Sequence, residues 1–324
     1  MRFESRVSNR PILCVLGGTG FVGSNLVNRL ADEGYQVRVL TRHRERHREL
    51  LVRPNVDLIE ANINEVDVLR HHFKGCHAVI NLAAILNEQK RGDFQNLHVV
   101  LPGKIIQACR DMGIKRILHM SALNANATAD TSRYLHSKGQ GEKLLEVASK
   151  DLDITIFRPS VIFGLNDHFF NRFATLLSLS PLPFPVISAT TRLAPVYVGD
   201  VAHAFVVALK RIETVGQSYD LCGPTVYTMR QLVEYTAATI NIDRVLVDLG
   251  PFISKIMARI LGLLPGKLLT YDNVVSLQQD NVCKGVYPAI FERQPTSIDS
   301  YVPKYLGQTT VRGRYYAMRR RAGR

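Results

Sequence analysis

No run of apolar residues in the 324-residue chain approaches the roughly 20 that a bilayer-spanning helix needs, so no transmembrane segment is expected. Cysteine is sparse. Cys14, Cys76, Cys109, Cys222 and Cys283 are scattered, odd in number and free of C-x-x-C spacing, which argues against a zinc site or a disulfide framework and for a reducing compartment. No cluster of His, Cys and Asp has metal-ligand spacing, and no metal is expected. Internal repeats are absent. The first eleven residues are too short and too polar for a secretory signal and run straight into the first apolar stretch, which predicts a cytoplasmic, bacterial protein. What is plentiful is core: 46% of residues are apolar and mean hydropathy is −0.01, enough for one large α/β domain with a smaller appended lobe.

The net charge of +13 is unevenly spread. Arg42, Arg44, Arg46, Arg48 and Arg53 against Glu45 and Glu49 give +3 in one short stretch, and six arginines give +6 in residues 312–324. A nucleic-acid groove interleaves basic and aromatic residues across a domain body, and that pattern is missing. The basic tail therefore reads as a solvated arm, or one laid against an acidic partner or an anionic membrane surface.

Residues 13–23 are the most informative stretch. There an apolar run stops at glycines spaced G-x-x-G-x-x-G, Gly17, Gly20 and Gly23, and a helical pattern begins at once. Gly17 suits a tight turn out of a strand, Gly20 a close approach of backbone to a pyrophosphate, and Gly23 close packing of helix on strand. Phosphates would sit on the helix N-terminus, where unpaired N–H groups and the dipole favour negative charge. Gly17, Thr19, Gly20, Phe21, Val22 and Gly23 are the candidate contacts. Leu26, Val27 and Leu30 give the helix one apolar face, and Gly34 a stop.

Strand patterns at 12–16, 37–40, 56–60, 78–82, 117–120 and 154–158 alternate with helical ones, which predicts a Rossmann-type, doubly wound parallel sheet. Its crevice then lies beside the ends of the first and fourth strands. Pro102 and Gly103, inside the helix before the fifth strand, predict a kink. After Gly164 the rhythm becomes irregular, with Pro181, Pro183, Pro185 and Pro195. We expect a dinucleotide domain over 1–164, rejoined by about 195–215, a smaller lobe over 165–300 and a basic arm over 301–324. Residues 195–202 read as a short strand leading into a helix capped by Asp200.

The residue after the second strand of such a fold meets the adenine ribose, and a carboxylate there selects NAD. Here Thr41 is followed by Arg42, with Arg44 close by, and a guanidinium fork matches a 2′-phosphate, so NADPH is the expected cofactor. Asn62 and Ile63, after the third strand, are placed at the adenine. Leu82, Ala83 and Ala84, after the fourth, are small enough to let a cofactor lie close. Beyond the fifth strand, Tyr134 and Lys138 stand one helical turn apart, an arrangement in which an ammonium depresses a phenol's pKa and binds a ribose.

Together these segments, with Phe157-Arg158-Pro159-Ser160-Val161-Ile162-Phe163-Gly164 and residues 195–202, resemble a short-chain dehydrogenase/reductase of the extended or atypical type over residues 12 to about 210. Within it, Ser121-Ala122-Leu123-Asn124-Ala125, the run from Tyr134 to Glu142 and the Arg42 loop are most similar to the NADPH-binding accessory subunit of respiratory complex I and its bacterial relatives. The resemblance implies Tyr134 as acid/base, Lys138 as its electrostatic partner and a cofactor contact, Ser121 as substrate anchor, and a backbone cofactor contact at Arg158 and Pro159. One departure bears on activity. Active members carry two hydroxyls after the fifth strand, and this chain has Ser121-Ala122, unless a one-residue shift of the loop lets Ser121 serve.

His119, inside the fifth strand, reads as a satisfied core histidine, and His71 and His72 suit a helix C-terminus. Residues 252–264, bounded by Pro251 and Pro265, follow helical spacing with Lys255 and Arg259 four apart. That stretch is too short to span a bilayer and reads as a helix over the lobe's core or one lying on a membrane or partner. The leading expectation is an NADPH-holding accessory or assembly factor of the respiratory chain or quinone metabolism, with weak or no turnover. The alternative is an active NADP-dependent reductase, epimerase or dehydratase on a small alcohol or carbonyl substrate. The protein is expected in the cytoplasm or peripherally on the inner face of the membrane.

Overall fold

The computed structural model describes residues 10–128, 132–179, 183–250, 253 and 270–306. The first half alternates strand and helix: β1 (Ile12–Leu16), α1 (Phe21–Asp32), β2 (Gln36–Thr41), β3 (Val56–Glu60), α2 (Val66–Phe73), β4 (Ala78–Asn81), α3 (Asp93–Gln95), α4 (Leu101–Asp111), β5 (Arg116–Met120), α5 (Arg133–Ala148) and β6 (Asp153–Pro159). Then follow β7 (Ile162–Phe163), α6 (Phe170–Leu179), β8 (Phe184–Ile187), β9 (Arg192–Leu193), β10 (Val196–Tyr197), α7 (Val198–Lys210), β11 (Ser218–Leu221), β12 (Tyr227–Thr228), α8 (Met229–Thr239), β13 (Leu246–Leu249), α9 (Tyr271–Ser276) and α10 (Ile298–Leu306).

Seven parallel strands form the central sheet in the order β11-β6-β5-β4-β1-β2-β3. The order reverses between β1 and β4, and ligands of such sheets bind in the crevice at that switch point. Helices cover both faces, which is why Leu13, Cys14, Val15 and Leu16 of β1 are all buried and show no polar alternation. α1 and α7 close one face over Leu13, Val15 and Ile80, while α2, α4 and α5 close the other over Cys14, Val79 and Ile117. The six anticipated strands are present with ends shifted by at most one residue. The seventh, β11, escaped notice because its four residues, Ser-Tyr-Asp-Leu, carry no apolar run.

α1 ends as its sequence dictates. Gly34 adopts φ +87°, and its N–H and that of Tyr35 return to the carbonyls of Ala31 and Leu30. The irregularity expected at Pro102 is a π-helical turn over Asn96–Val100 between α3 and α4. Pro102 has no N–H to offer the carbonyl four residues back, which leaves that of His98 free to meet another helix.

Three expectations are corrected. Asp200 does not cap α7; Tyr197 does, without a side-chain bond. The fully buried Asp200 carboxylate sits in the helix's first turn and instead accepts from the Thr296 N–H (2.6 Å) and pairs with Arg293 (2.8 Å), tying a late segment to the sheet domain. The expected arm from residue 301 begins as helix, because Ile298 and Val302 pack one face of α10 into the hydrophobic cluster around Phe163, Phe170 and Leu232. Finally, Cys222 and Cys283 form a disulfide, with Cα atoms 5.9 Å apart. Sixty-one positions separate them, so linear spacing gave no hint; the pairing arises because residue Asn281 bridges to Leu193 beside the end of β11. Cys14, Cys76 and Cys109 are buried free thiols. The helix expected over 252–264 and the arginine tail at 312–324 lie outside the described residues, apart from Ile253.

Candidate dinucleotide and catalytic site

The glycine turn has the geometry its spacing demands. Gly17 sits at φ +75°, and a Cβ there would lie 2.7 Å from the Leu82 carbonyl carbon and 2.8 Å from the Ala83 nitrogen. β1 and the end of β4 thus touch backbone to backbone. A Cβ on Gly23 would overlap the Gly17 carbonyl oxygen, whereas one on Gly20 would meet only that oxygen, at 3.4 Å, and otherwise face open space. Gly20 is the N-cap of α1 with no capping side chain, and the first turn holds no acid, so the leading N–H groups keep their positive potential. Thr19 and Phe21 are partly exposed at this turn, with Val22 buried behind them.

At the end of β2, Thr41 is buried and its hydroxyl accepts from the His43 N–H (3.4 Å). Arg42 and Arg44 are exposed, and among the described residues no carboxylate pairs with either guanidinium. Their neighbours behave differently: Arg48 pairs with Glu45 at 2.6 Å and Arg53 with Asp32. Asn62, by contrast, is committed locally, donating to Glu65 (2.6 Å) and accepting from the Asn64 N–H (3.2 Å) in the turn that starts α2. Ile63 packs on the core under α2. Leu82 and Ala83 are buried beside the turn, and Ala84 is exposed.

Tyr134 opens α5. Ser132 caps the helix by accepting from the Leu135 N–H (3.2 Å), and the Asp272 carboxylate of α9 accepts from the N–H groups of Arg133 (2.6 Å) and Tyr134 (3.1 Å). The Tyr134 ring packs edge-on to Phe94 and His98, with centroids 5.9 and 5.6 Å away. Burial pushes its phenol up to about 12. Lys138, one turn on, is buried and donates to the Met120 carbonyl (2.8 Å); burial pushes its ammonium down to about 8, with Glu142 opposing. The expected depression of the phenol by the lysine is thus not seen in this arrangement, where burial raises it.

Two glycines let α5 come this close. A Cβ on Gly139 would overlap the Ala127 nitrogen, and one on Gly141 the His98 carbonyl freed by Pro102. His98 itself is buried and bonded at both nitrogens. The Ile85 N–H donates to Nε2 (3.2 Å), which assigns the proton to Nδ1, facing Ser137 Oγ at 2.8 Å; Ser137 in turn donates to the Tyr134 carbonyl (2.8 Å). Burial pushes His98 down to about 3. Nothing in the linear pattern marked this histidine, although Pro102 four residues later and the G-x-G after Lys138 are its signals in retrospect.

His119 is buried as expected but only half satisfied. Asn81 donates to its Nδ1 (3.1 Å), and Nε2 has no partner among the described residues. The same holds for the hydroxyl of buried Ser121. The backbone N–H groups of Ser121 and Leu123 bond to Phe157 (2.7 Å) and Pro159 (3.0 Å), so the ladder with β6 continues past β5 and a one-residue shift would break both bonds. Ser121 and Ala122 therefore point to opposite faces. The Arg158 guanidinium is engaged with buried Glu142, and Pro159 is buried within the sheet. The glycine cradle and the uncapped N-terminus of α1 fit the phosphates of a dinucleotide laid across the crevice, with the exposed Arg42 and Arg44 at the end of β2.

A seven-stranded parallel sheet with this glycine turn at its switch point and a Tyr-x-x-x-Lys helix beside it defines a class, and the sequence family described as NAD dependent epimerase/dehydratase matches residues 13–222. The chain belongs to that family. Among individual relatives, it is 31% identical over 296 residues to the mitochondrial NADH dehydrogenase [ubiquinone] 1 alpha subcomplex subunit 9 of Mus musculus, covering 89% of this chain and 78% of that one. It is 30% identical over 210 residues to a ceramide reductase of Caulobacter vibrioides, covering 64% of this chain and 63% of the other. The solved UDP-glucose 4-epimerase of Thermotoga maritima shares the fold with a TM-score of 0.70, at 17% identity over 91% of this chain and 97% of that one. No helix among the described residues is long and apolar enough to cross a membrane.

Proposed function

We propose that this protein holds NADPH firmly and serves as an accessory or assembly factor of a respiratory NADH dehydrogenase, in the cytoplasm against the inner face of the membrane, with weak or no turnover. The observation that carries the reading is the pair of unpaired arginines, Arg42 and Arg44, standing where a ribose-reading acid would select NAD. The similarity to the mouse subunit along most of both chains supports the respiratory partner. In this reading Gly17, Thr19, Gly20, Phe21, Val22 and Gly23 hold the pyrophosphate, and Thr41, Arg42 and Arg44 the adenosine phosphate. Asn62, Ile63, Leu82, Ala83 and Ala84 line the cofactor's path, with Lys138, Arg158 and Pro159 at its nicotinamide end. NADPH supplies a hydride when bound. The residues around it keep it in place: Lys138 is fixed to the Met120 carbonyl, and burial raises the Tyr134 phenol to about 12, which disfavours its ionised form.

The second reading, an active reductase, epimerase or dehydratase on a small alcohol or carbonyl compound, is favoured by one observation, the unpartnered Ser121 hydroxyl. The deciding experiment extracts the purified protein, identifies its nucleotide, and follows it in membranes. NADPH that co-purifies, persists through turnover assays and sediments with the respiratory NADH dehydrogenase supports the accessory role. An empty or freely exchanging site in a protein absent from that complex overturns it. Membrane association should weaken with salt and on removal of 312–324.

A further inference from the structure

Residues 270–283 touch the segments on the Tyr134 and Ser121 side of the candidate site. At one end, α9 caps the Tyr134 helix through Asp272, joins Ser132 through Ser276 (2.7 Å), and reaches the loop after β4, where the Thr270 hydroxyl donates to Asn87 (3.0 Å) and Asn273 to the Leu86 carbonyl (3.4 Å). Next, the Leu277 carbonyl accepts from the Thr191 hydroxyl (2.6 Å), and the Asp280 carbonyl accepts from Asn124 (2.8 Å), three residues beyond Ser121. The Asn281 carbonyl accepts from the Ser160 hydroxyl (2.9 Å) and the Ala194 N–H (3.1 Å). The far end is bonded covalently, Cys283 to Cys222 just after β11.

Apart from that bond the far end is held by polar contacts rather than by apolar packing: the Asn281 N–H also donates to the Arg192 carbonyl (2.8 Å), and the Asp280 carboxylate accepts from the Arg192 N–H (2.8 Å). Leu123, Ala194 and Cys222, with partly buried Val282 and Cys283, form a small cluster separate from the larger cores. The Asp280–Arg192 ion pair is exposed and worth little. Lys284, Gly285 and Val286, directly after Cys283, are exposed and give a reductant access.

We propose that residues 270–283 are a redox-released strap, locked across the crevice by the Cys222–Cys283 disulfide, and that its reduction by a cellular dithiol loosens the Ser121 loop and speeds departure of the bound nucleotide. The inference rests on the dinucleotide reading of the site. A thiolate of the reductant attacks Cys283 Sγ, and Cys222 leaves as a thiolate and takes a proton. The reductant's second thiol then closes its own disulfide and releases Cys283 as a thiol. Two electrons and two protons pass to the pair, and the dithiol leaves oxidised.

The test compares the full-length protein before and after dithiothreitol. Alkylation and mass measurement should count three thiols rising to five, because Cys14, Cys76 and Cys109 are free throughout. Amide hydrogen exchange in 121–126 and 270–283 should accelerate at least tenfold on reduction, and NADPH dissociation at least fivefold. The Cys222→Ser/Cys283→Ser variant should match the reduced protein and ignore the reductant. Five reactive thiols before reduction, unchanged exchange once five are counted, an unchanged NADPH dissociation rate, or the same acceleration in the double variant would each overturn the strap. Should NADPH bind neither form, the dinucleotide reading falls, while the exchange arm still decides the strap.

Discussion

The His98 carbonyl lies against Gly141, in the place a Cβ on that residue would take. Pro102 makes the contact possible by leaving this carbonyl without a helical N–H, and Gly141 completes it by letting α5 approach to backbone distance, where a Cα–H can face the oxygen. The chain thereby fixes the relative position of the π turn and the helix that carries Tyr134 and Lys138.

Gly141→Ala should therefore destabilise the protein by about 3 kcal/mol, the upper range for overpacking, despite alanine's better helix propensity. Gly103→Ala is the control. It lies in α4 with nothing within 4 Å of its added Cβ, and should stabilise by about 0.5–1 kcal/mol. Urea midpoints of the two variants decide the matter; equal shifts would mean that α5 moves aside freely.

Much of this was legible in the sequence. Period and glycine spacing sufficed for the parallel sheet, the turn from Gly17 to Gly23 and the stop at Gly34, because each depends on residues within one strand or helix. Elements set by distant partners were illegible. Asp200 looked like a cap since its position in the chain allows one, but its true partners, Arg293 and Thr296, lie some 90 positions away. Cys222 and Cys283 looked unpaired for the same reason. His98 and the Asp272 cap of α5 belong to contacts between segments that no periodicity connects.

Arg42→Ala should erase a preference for NADPH over NADH of at least tenfold, about 1.4 kcal/mol. The guanidinium has no carboxylate partner among the described residues, so its removal breaks no ion pair and should leave thermal stability within about 0.5 kcal/mol. Calorimetric titration with both nucleotides measures this. Equal affinities in the wild type, or selectivity kept in the variant, would return Arg42 to the role of a solvated surface charge.

Acid should unfold the protein early. His98 is held neutral, its pKa lowered from the ordinary 6.5 to about 3, and His119 is lowered too by burial with no charge to compensate. The unfolded chain binds more protons than the native one below about pH 6.5, so stability is full above that pH and declines as pH falls toward 3. At pH 5 His98 alone removes about 2 kcal/mol, and His119 acts in the same direction. Denaturant midpoints measured from pH 7 to 4.5 should show this slope, and His98→Asn should reduce it. A flat profile in the wild type would mean that both imidazoles are solvated.

Turnover should be weak or absent, for a local reason. A phenol raised to about 12 needs both activation and a second donor to hold a substrate oxygen, and the residue after Ser121 is Ala122, whose methyl cannot donate. One missing donor of this kind commonly costs about a hundredfold in rate. The ladder bonds of Ser121 and Leu123 to β6 prevent Ser121 from taking both places. Ala122→Ser should thus raise any trace reductase activity, and Tyr134→Phe should leave NADPH affinity within about twofold, since the tyrosine is assigned to the substrate side of the site. Rapid wild-type turnover on a defined alcohol or carbonyl compound, abolished by Tyr134→Phe, would sink the accessory role and make the protein a working member of its family.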